Sequence, residues 1–302
     1  MHIKKSSKLV LTLGIGLFLA ACGNTSSDAA GSSSTGEEFD TSQTIHVVSR
    51  EDGSGTRGAF TEITKVLEKD ADGNEIDGTY SEAAIQNSTD GVMTSVAGDA
   101  TSIGYISLGS LNDKIKAIKI EGVIPKAETI KDGSYAIARP FNVVYKDNLN
   151  KEAQDFWDFM FSQQGQEIIV KEGYVEANDK APVYTAPKNV EGKISIVGST
   201  SVTSVMEVLA EEYKTLNPKA TIDITSNGSS AGIAAAIDGT ADIGMASREL
   251  KEEEKTSLTV GVLAMDGIAV IVNKENTIDE LTMKQVKDIF TGEWTTWKDL
   301  AK

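Results

Sequence analysis

The strongest constraint on what this chain can fold into is that its punctuation occurs twice. From Thr44 the sequence runs Ile45-His46-Val47-Val48, a short strand-like alternation, then Ser49-Arg50-Glu51-Asp52-Gly53-Ser54-Gly55-Thr56, then a helical spacing through Phe60, Ile63 and Leu67. From Lys193 it runs Ile194-Ser195-Ile196-Val197, then Gly198-Ser199-Thr200-Ser201, then a helical spacing through Val202, Val205, Met206, Leu209 and Tyr213. Further on, Asn87-Ser88-Thr89-Asp90-Gly91-Val92 faces Asn227-Gly228-Ser229-Ser230-Ala231-Gly232-Ile233, and the run from Gly98 to Gly104 faces the run from Gly239 to Gly244. Ser107 and Ser247 stand at the same spacing beyond Gly104 and Gly244. A repeat of this length predicts two lobes of one βαβαβ plan in an α/β fold.

The repeated elements share a chemistry. In each lobe a strand runs twice into a Gly/Ser/Thr loop that opens a helix, which leaves unpaired backbone N–H groups and hydroxyls at helix N-termini. Simple N-capping accounts for any one of these residues. Four such loops arranged as a repeat predict an anion site shared between lobes, suited to phosphate, sulfate or carboxylate and placed at the carboxyl ends of the strands. Arg50 follows its strand directly and precedes the glycine-rich turn, where a guanidinium can give an anion two donors. Asp52 is placed to hold that arginine; the alternative for Arg50 is a surface salt bridge. Arg248, after Ser247 and beside Glu249, is a second candidate, or a solvated charge.

Composition excludes several classes. With 29 Lys+Arg against 45 Asp+Glu, a net charge of −16, the chain lacks the basic footprint of a nucleic-acid binder. Its one cysteine and two histidines, Cys22, His2 and His46, give neither an intramolecular disulfide nor the material for a zinc cluster or a Ser-His-Asp triad. Asp70-Ala71-Asp72-Gly73-Asn74-Glu75 looks faintly like a calcium loop, but Ser81 stands where a bidentate Glu belongs, so a tight acidic turn is expected and no metal or other cofactor. Gly53-Ser54-Gly55-Thr56 is followed by no Gly-Lys-Ser/Thr, which argues against an NTPase. Phe156, Trp157, Phe159, Met160 and Phe161 form an aromatic helical face, expected to be core.

At the N-terminus Lys4, Lys5 and Lys8 precede an apolar run from Leu9 to Ala21, shorter than the ~20 residues of a membrane span. The run ends Leu19-Ala20-Ala21-Cys22, which resembles the lipobox of bacterial lipoproteins. That resemblance implies a signal peptide over 1–21 and acylation of Cys22, with palmitate among the expected modifications. Residues 22–43, rich in Ser, Thr, Gly and acidic residues, read as a flexible tether. An acidic body is repelled by anionic head groups, so membrane contact is expected only through the lipid anchor, on the extracytoplasmic face of the bacterial cell membrane.

Several segments together resemble the phosphate-binding protein of bacterial phosphate-specific ABC transporters: Ser49 to Arg57, Gly104-Tyr105-Ile106-Ser107, Gly198 to Val202, Asn227 to Ile233, Asp242 to Glu249, Gly267 to Asn273, and Asp288-Ile289-Phe290-Thr291-Gly292 with Trp297. The order is exchanged, because in most of that family the Gly-Ser-Thr-Ser lobe comes first. It is similar to the order found in lipoproteins of streptococci and their relatives. The resemblance therefore implies a circularly permuted, two-lobe periplasmic-binding-protein-like (type II) fold. One lobe would span 44–138 plus 273–302 and the other 139–272, with two hinge crossings at Phe141 to Tyr145 and Ile268 to Asn273. Termini that lie close together on the surface make such an exchange tolerable.

By the same resemblance, phosphate contacts fall on Arg50, Ser54, Gly55, Thr56, Thr200, Ser201, Ser229 and Ser247, with Asp52, Ser199 and Arg248 as secondary candidates. Ser247 occupies the place where the family uses an Asp to accept a proton from hydrogen phosphate, and Asp52 or Glu249 could take over that role. The implied function is capture of inorganic phosphate between lobes and delivery to the permease and ATPase subunits of an ABC importer, by a monomer with no catalytic residues. Other readings of the same residues are a binder of another oxyanion such as sulfate, a surface sensor or adhesin, or an extracytoplasmic phosphatase with Ser54 or Ser199 as nucleophile. The last lacks a base, since His46 sits in an alternating strand.

Overall fold

The structure, a computed structural model, describes residues 39–72, 74–187 and 190–301. The expected signal peptide, Cys22 and the expected tether up to residue 38 lie outside the described residues. Each half of the repeat builds one parallel unit. In the first, His46–Arg50 lies between Ser102–Ser107 and Ala84–Gln86. In the second, Glu191–Gly198 lies between Ile243–Ala246 and Lys219–Ser226. Parallel neighbours need crossovers, supplied by helices Gly55–Ile63 and Thr89–Ala97 in the first half and Thr200–Leu216 and Ser229–Asp238 in the second.

The first helix is shorter than its apolar spacing predicts. It stops at Ile63 because Thr61 and Thr64 turn their hydroxyls back onto the carbonyls of Arg57 and Phe60 and because Lys65 enters the left-handed region at φ 62. Leu67 then belongs to a small strand, Leu67–Lys69, paired with Glu75–Asp77.

Two long antiparallel strands join the halves into one sheet. Ala138–Tyr145 pairs with Ile243–Ala246 on one side and with the strand Thr259–Asn273 on the other. Thr259–Asn273 pairs along its first part with Ala138–Tyr145 and along its last part, from Ile268, with Ser102–Ser107. Its register slips between Val262 and Ala264. The two apolar segments expected to cross between the lobes lie in these strands but beside the crossing itself: 141–145 pairs within the second half, 268–273 pairs with the first, and the change falls between Gly267 and Ile268.

Two main cores flank the crossing. In the first half Phe60 stacks on Tyr105 with centroids 3.9 Å apart, and Phe290 meets Phe60 edge-on at 4.8 Å. The C-terminal helix Met283–Phe290 and Trp297 therefore complete the core of the Arg50 half. In the second half Phe141, Phe156, Phe159, Met160, Val202, Leu209 and Tyr213 are fully buried together, so Phe156, Phe159 and Met160 of the aromatic face are core as expected, while Trp157 and Phe161 are half-buried and pack against it.

Residues 39–45, which include the end of the expected tether, lie against the C-terminal segment. Phe39 meets Trp297 at 6.1 Å, Ile45 N donates to the Thr295 carbonyl at 2.8 Å, and Lys298 N donates to the Thr41 carbonyl at 2.7 Å.

Candidate anion-binding site

Parallel strands deliver their loops to a common edge, so the four crossover helices all begin there, at Gly55, Thr89, Thr200 and Ser229. Capping explains part of the hydroxyl pattern. Ser54 accepts from Arg57 N at 3.3 Å, Ser88 from Gly91 N at 3.0 Å and Ser199 from Val202 N at 3.4 Å. Ahead of Ser229 stands Gly228, at φ 99 and with no side-chain cap. The hydroxyls just inside the helices do something else: they meet across the two halves. Thr56 Oγ1 lies 2.9 Å from Ser201 Oγ, and Thr89 Oγ1 lies 3.2 Å from Thr200 Oγ1 and 3.3 Å from Ser201 Oγ. Ser230 N also donates to the Gly53 carbonyl at 3.1 Å.

Arg50 is 2% exposed. Its Nε and Nη2 donate to the two carboxylate oxygens of Glu51 at 2.8 and 3.0 Å, and Nη2 also donates to Thr200 Oγ1 at 3.0 Å. Behind it, Tyr105 Oη accepts from Arg50 N at 3.2 Å and lies 2.8 Å from Ser49 Oγ, and burial pushes the Tyr105 phenol above its ordinary range. The expectation that Asp52 holds Arg50 is corrected: Glu51 does so. The chain turns away at Gly53, φ 84, and the Asp52 side chain, 96% exposed, pairs with Arg57.

Arg248 also stands apart from the hydroxyl cluster. Both ends of its guanidinium pair with Glu254 at 2.8 Å, and Nη1 donates to the Glu249 carbonyl at 2.9 Å. Partial burial pushes the Glu254 carboxyl up, but the hydrogen bonds from Arg248 and Lys251 N hold it below the usual range. Glu249 is exposed. Arg248, Glu249, Asp52, Ser54 and Ser230 line a polar groove of about 970 Å³ at the outer edge of the cluster.

Ser247 forms the floor, at 0% exposure. Ser199 Oγ donates to Ser247 Oγ at 2.8 Å, Ser247 N donates to Ser229 Oγ at 3.1 Å, and the Ser229 and Ser247 hydroxyls lie 3.4 Å apart. Gly55 comes from the other half and presses on this floor. A Cβ there would overlap the Ser229 hydroxyl and stand 2.8 Å from that of Ser247. Only glycine lets the backbone approach so closely.

The structure thus brings Arg50, Gly55, Thr56, Thr200, Ser201, Ser229 and Ser247 to one place, with Ser54 and Ser199 buried beside them as helix caps and Ser199 also touching Ser247. Sequence reasoning missed Thr89, Glu51 and the buried pair Arg139 and Asp266. For Thr89 the signal was present, because the repeat sets Ser88-Thr89 opposite Gly228-Ser229. For Arg139 and Asp266 it was weaker: each is a single charge inside an apolar crossing strand.

The electrostatics follow from these partners. Arg50 carries Glu51 and Arg139 carries Asp266, so neither arginine offers an uncompensated charge. Burial pushes the Asp266 carboxyl up, against the pull of Arg139 and Ser107. The pull on an anion therefore comes largely from four helix N-termini, each worth roughly half a positive charge, and from neutral hydroxyl and amide donors.

Among the described residues no group of three or more His, Cys, Asp or Glu is placed to hold a metal ion. Asp70 accepts from the backbone of Asp72 and Asn74 at 2.9 and 2.8 Å, as an acidic turn does. His46 Nδ1 lies 2.5 Å from Asp99 Oδ2 on an exposed edge.

The chain matches the PBP superfamily domain over residues 32–164 and 183–302. It is 51% identical over 296 residues to the phosphate-binding protein PstS 2 of Streptococcus pneumoniae, covering 97% of this chain and 98% of that protein. It is 49% identical over 292 residues to the protein of the same name from Streptococcus agalactiae, covering 96% and 95%. Among solved structures, a phosphate-binding protein of a phosphate ABC transporter from Streptococcus pneumoniae is 54% identical, with a TM-score of 0.69 over 85% of this chain and 99% of that one.

Proposed function

We propose that this chain, which belongs to the PBP superfamily and to the phosphate-binding proteins of phosphate ABC transporters, captures inorganic phosphate between its two halves and delivers it to the importer's membrane components. It binds and releases its ligand and is not an enzyme. The observation that carries the reading is the hydroxyl cluster that spans the halves around Arg50, Thr56, Thr200 and Ser201.

Phosphate taken out of water must recover its hydrogen bonds from donors of fixed geometry. Arg50, the Ser54-Gly55-Thr56 turn and Thr89 supply them from one half, and Thr200, Ser201, Ser229 and Ser247 from the other. Ser247 Oγ already accepts a hydrogen from Ser199, which leaves its own proton to be donated. These donors approach one another only when the halves are closed, so bound anion and closed shape stabilise each other. A closed surface is then what the permease meets.

The reading extends to the chain's organisation. The protein works outside the cytoplasm as a monomer, held to the membrane by acyl chains on Cys22, with its lobes at 44–138 plus 268–302 and 139–267; the boundary expected at 272/273 moves to Ile268, from where the strand pairs with the first half. The contact of residues 39–45 with 295–298 supports the exchanged lobe order, because the two ends of the body lie together where a cut could be moved. Replacing Cys22 by serine should release the protein into the medium, and retention of unlipidated protein at the membrane would refute the anchor.

The deciding experiment is calorimetric titration of the protein, freed of bound anion by partial unfolding and refolding, with phosphate and then sulfate at equal ionic strength. The expected result is phosphate binding of about micromolar affinity or tighter with little response to sulfate. Binding of neither anion would overturn the reading.

A further inference from the structure

Beneath Ser247 lies a buried ion pair built into the crossing strands. Arg139 and Asp266 are register partners on Ala138–Tyr145 and Thr259–Asn273, and their side chains are 1% and 0% exposed. Arg139 Nε and Nη2 donate to Asp266 Oδ2 at 3.1 and 2.9 Å. The remaining Nη1 donates to the backbone carbonyl of Ser247 at 2.9 Å. On the other side, Ser107 Oγ donates to Asp266 Oδ1 at 2.9 Å. A chain of charge-assisted hydrogen bonds therefore runs from Ser107, at the end of a strand in the first half, to Ser247, the floor of the anion cluster in the second.

Its position and its chemistry both bear on binding. The pair sits just before Ile268, where Thr259–Asn273 changes partners from one half to the other. That is where the sheet must bend if the halves part. A buried pair of this kind is weak evidence for stability, since well-packed apolar residues often serve as well. What apolar residues cannot do is hold a carbonyl. Ser247 is fixed from three directions: its carbonyl by Arg139, its N–H by Ser229 and its hydroxyl by Ser199. The next carbonyl, of Arg248, is held from the same crossing strand by Asn142 Nδ2 at 2.8 Å.

We propose that Arg139 is a positioning residue for phosphate binding, which sets Ser247 through its carbonyl and, through Asp266 and Ser107, ties that setting to the closed arrangement of the halves. The proposal rests on the phosphate-binding reading above. Arg139 does not touch the anion; it acts through Ser247.

The test compares Arg139→Met, Arg139→Lys, Asp266→Asn and Ser107→Ala in the full chain, with Arg50→Ala as the control for the site itself. Phosphate affinity, phosphate release rate and thermal midpoint are read for each. Arg139→Met should lose about tenfold or more in affinity with faster release. Arg139→Lys, which keeps one charged donor, should recover part of it. Ser107→Ala should speed release with little change in thermal midpoint. If Arg139→Met and Ser107→Ala lower the thermal midpoint but leave affinity and release at wild-type values, the pair is structural and the proposal is overturned. If Arg139→Met does not fold, Asp266→Asn and Ser107→Ala decide in the same way. Wild-type protein that binds no phosphate would overturn the functional reading first, and this proposal with it.

Discussion

Thr56 Oγ1 and Ser201 Oγ, 145 positions apart in the chain, lie 2.9 Å apart at the starts of two helices that belong to different halves of the sheet. Around them the halves touch through short polar groups: Arg50 to Thr200, Thr89 to both Thr200 and Ser201, and Ser230 to Gly53. Net contributions of such hydrogen bonds are about 1 kcal/mol each, because water offers the same partners to an open cleft. A closure held this weakly can be governed by a ligand that engages both sides.

Replacing Arg50 tests the strongest donor. Arg50→Ala should weaken phosphate binding by at least about a hundredfold, since it removes a charged donor and leaves Glu51 unpaired beside the anion. Arg50→Lys should restore charge without the forked geometry and recover only part of the loss. Titration calorimetry reads both, and affinity within threefold of wild type for Arg50→Ala would remove Arg50 from the site.

Gly55→Ala should separate closure from folding. The added Cβ meets the Ser229 and Ser247 hydroxyls only when the halves are together. Phosphate affinity should fall by about tenfold or more while the phosphate-free thermal midpoint stays near wild type, because overpacking of about 1–3 kcal/mol is felt only in the closed form. Small-angle scattering with and without phosphate should show the variant failing to contract.

Ionic strength should matter little. Both buried arginines are paired with carboxylates, and the remaining donors are neutral and lie where salt does not screen. Raising salt from 0.05 to 0.5 M should change phosphate affinity by less than about threefold. A steep loss would mean that diffuse charge, and not the donor cluster, holds the anion.

Asp99 gives a pH-dependent prediction away from the site. Partial burial pushes its carboxyl up, but hydrogen bonds from His46, Thr101 and Ser102 outweigh it and lower the pKa to about 2. An unfolded Asp titrates near 3.9, so Asp99 stabilises the fold above that value, and the contribution is lost as pH falls towards about 2. Asp99→Asn should be less stable than wild type in denaturant titrations at pH 7. The difference should shrink between pH 4 and pH 2; a gap that persists at pH 2 would contradict this assignment.

Much of this was legible in the sequence because the repeat is a statement about topology. Two runs with the same strand, loop and helix order must build the same parallel unit, and parallel units put their loops on one edge. Ser54 and Ser199 could be read as caps or as ligands; the structure shows each capping its helix, with Ser199 also donating to Ser247 within the cluster. The choice between Asp52 and Glu51 as the partner of Arg50 turned on the direction of the chain at Gly53, which side-chain type does not encode. Arg139 and Asp266 stayed hidden for a different reason. They lie 127 positions apart, and nothing local to either strand says that the two will stand side by side.

The docking of Phe39 on Trp297 joins the start of the folded body to one half and not the other. The chain enters the folded body on the Arg50 half, beside the C-terminal segment that completes the same core. The Thr200 half is joined to it along the chain by the two crossing strands and across the site by the hydroxyl contacts. A separation of the halves would leave the contact of residues 39–45 with 295–298 intact and would displace the Thr200 half relative to residue 39.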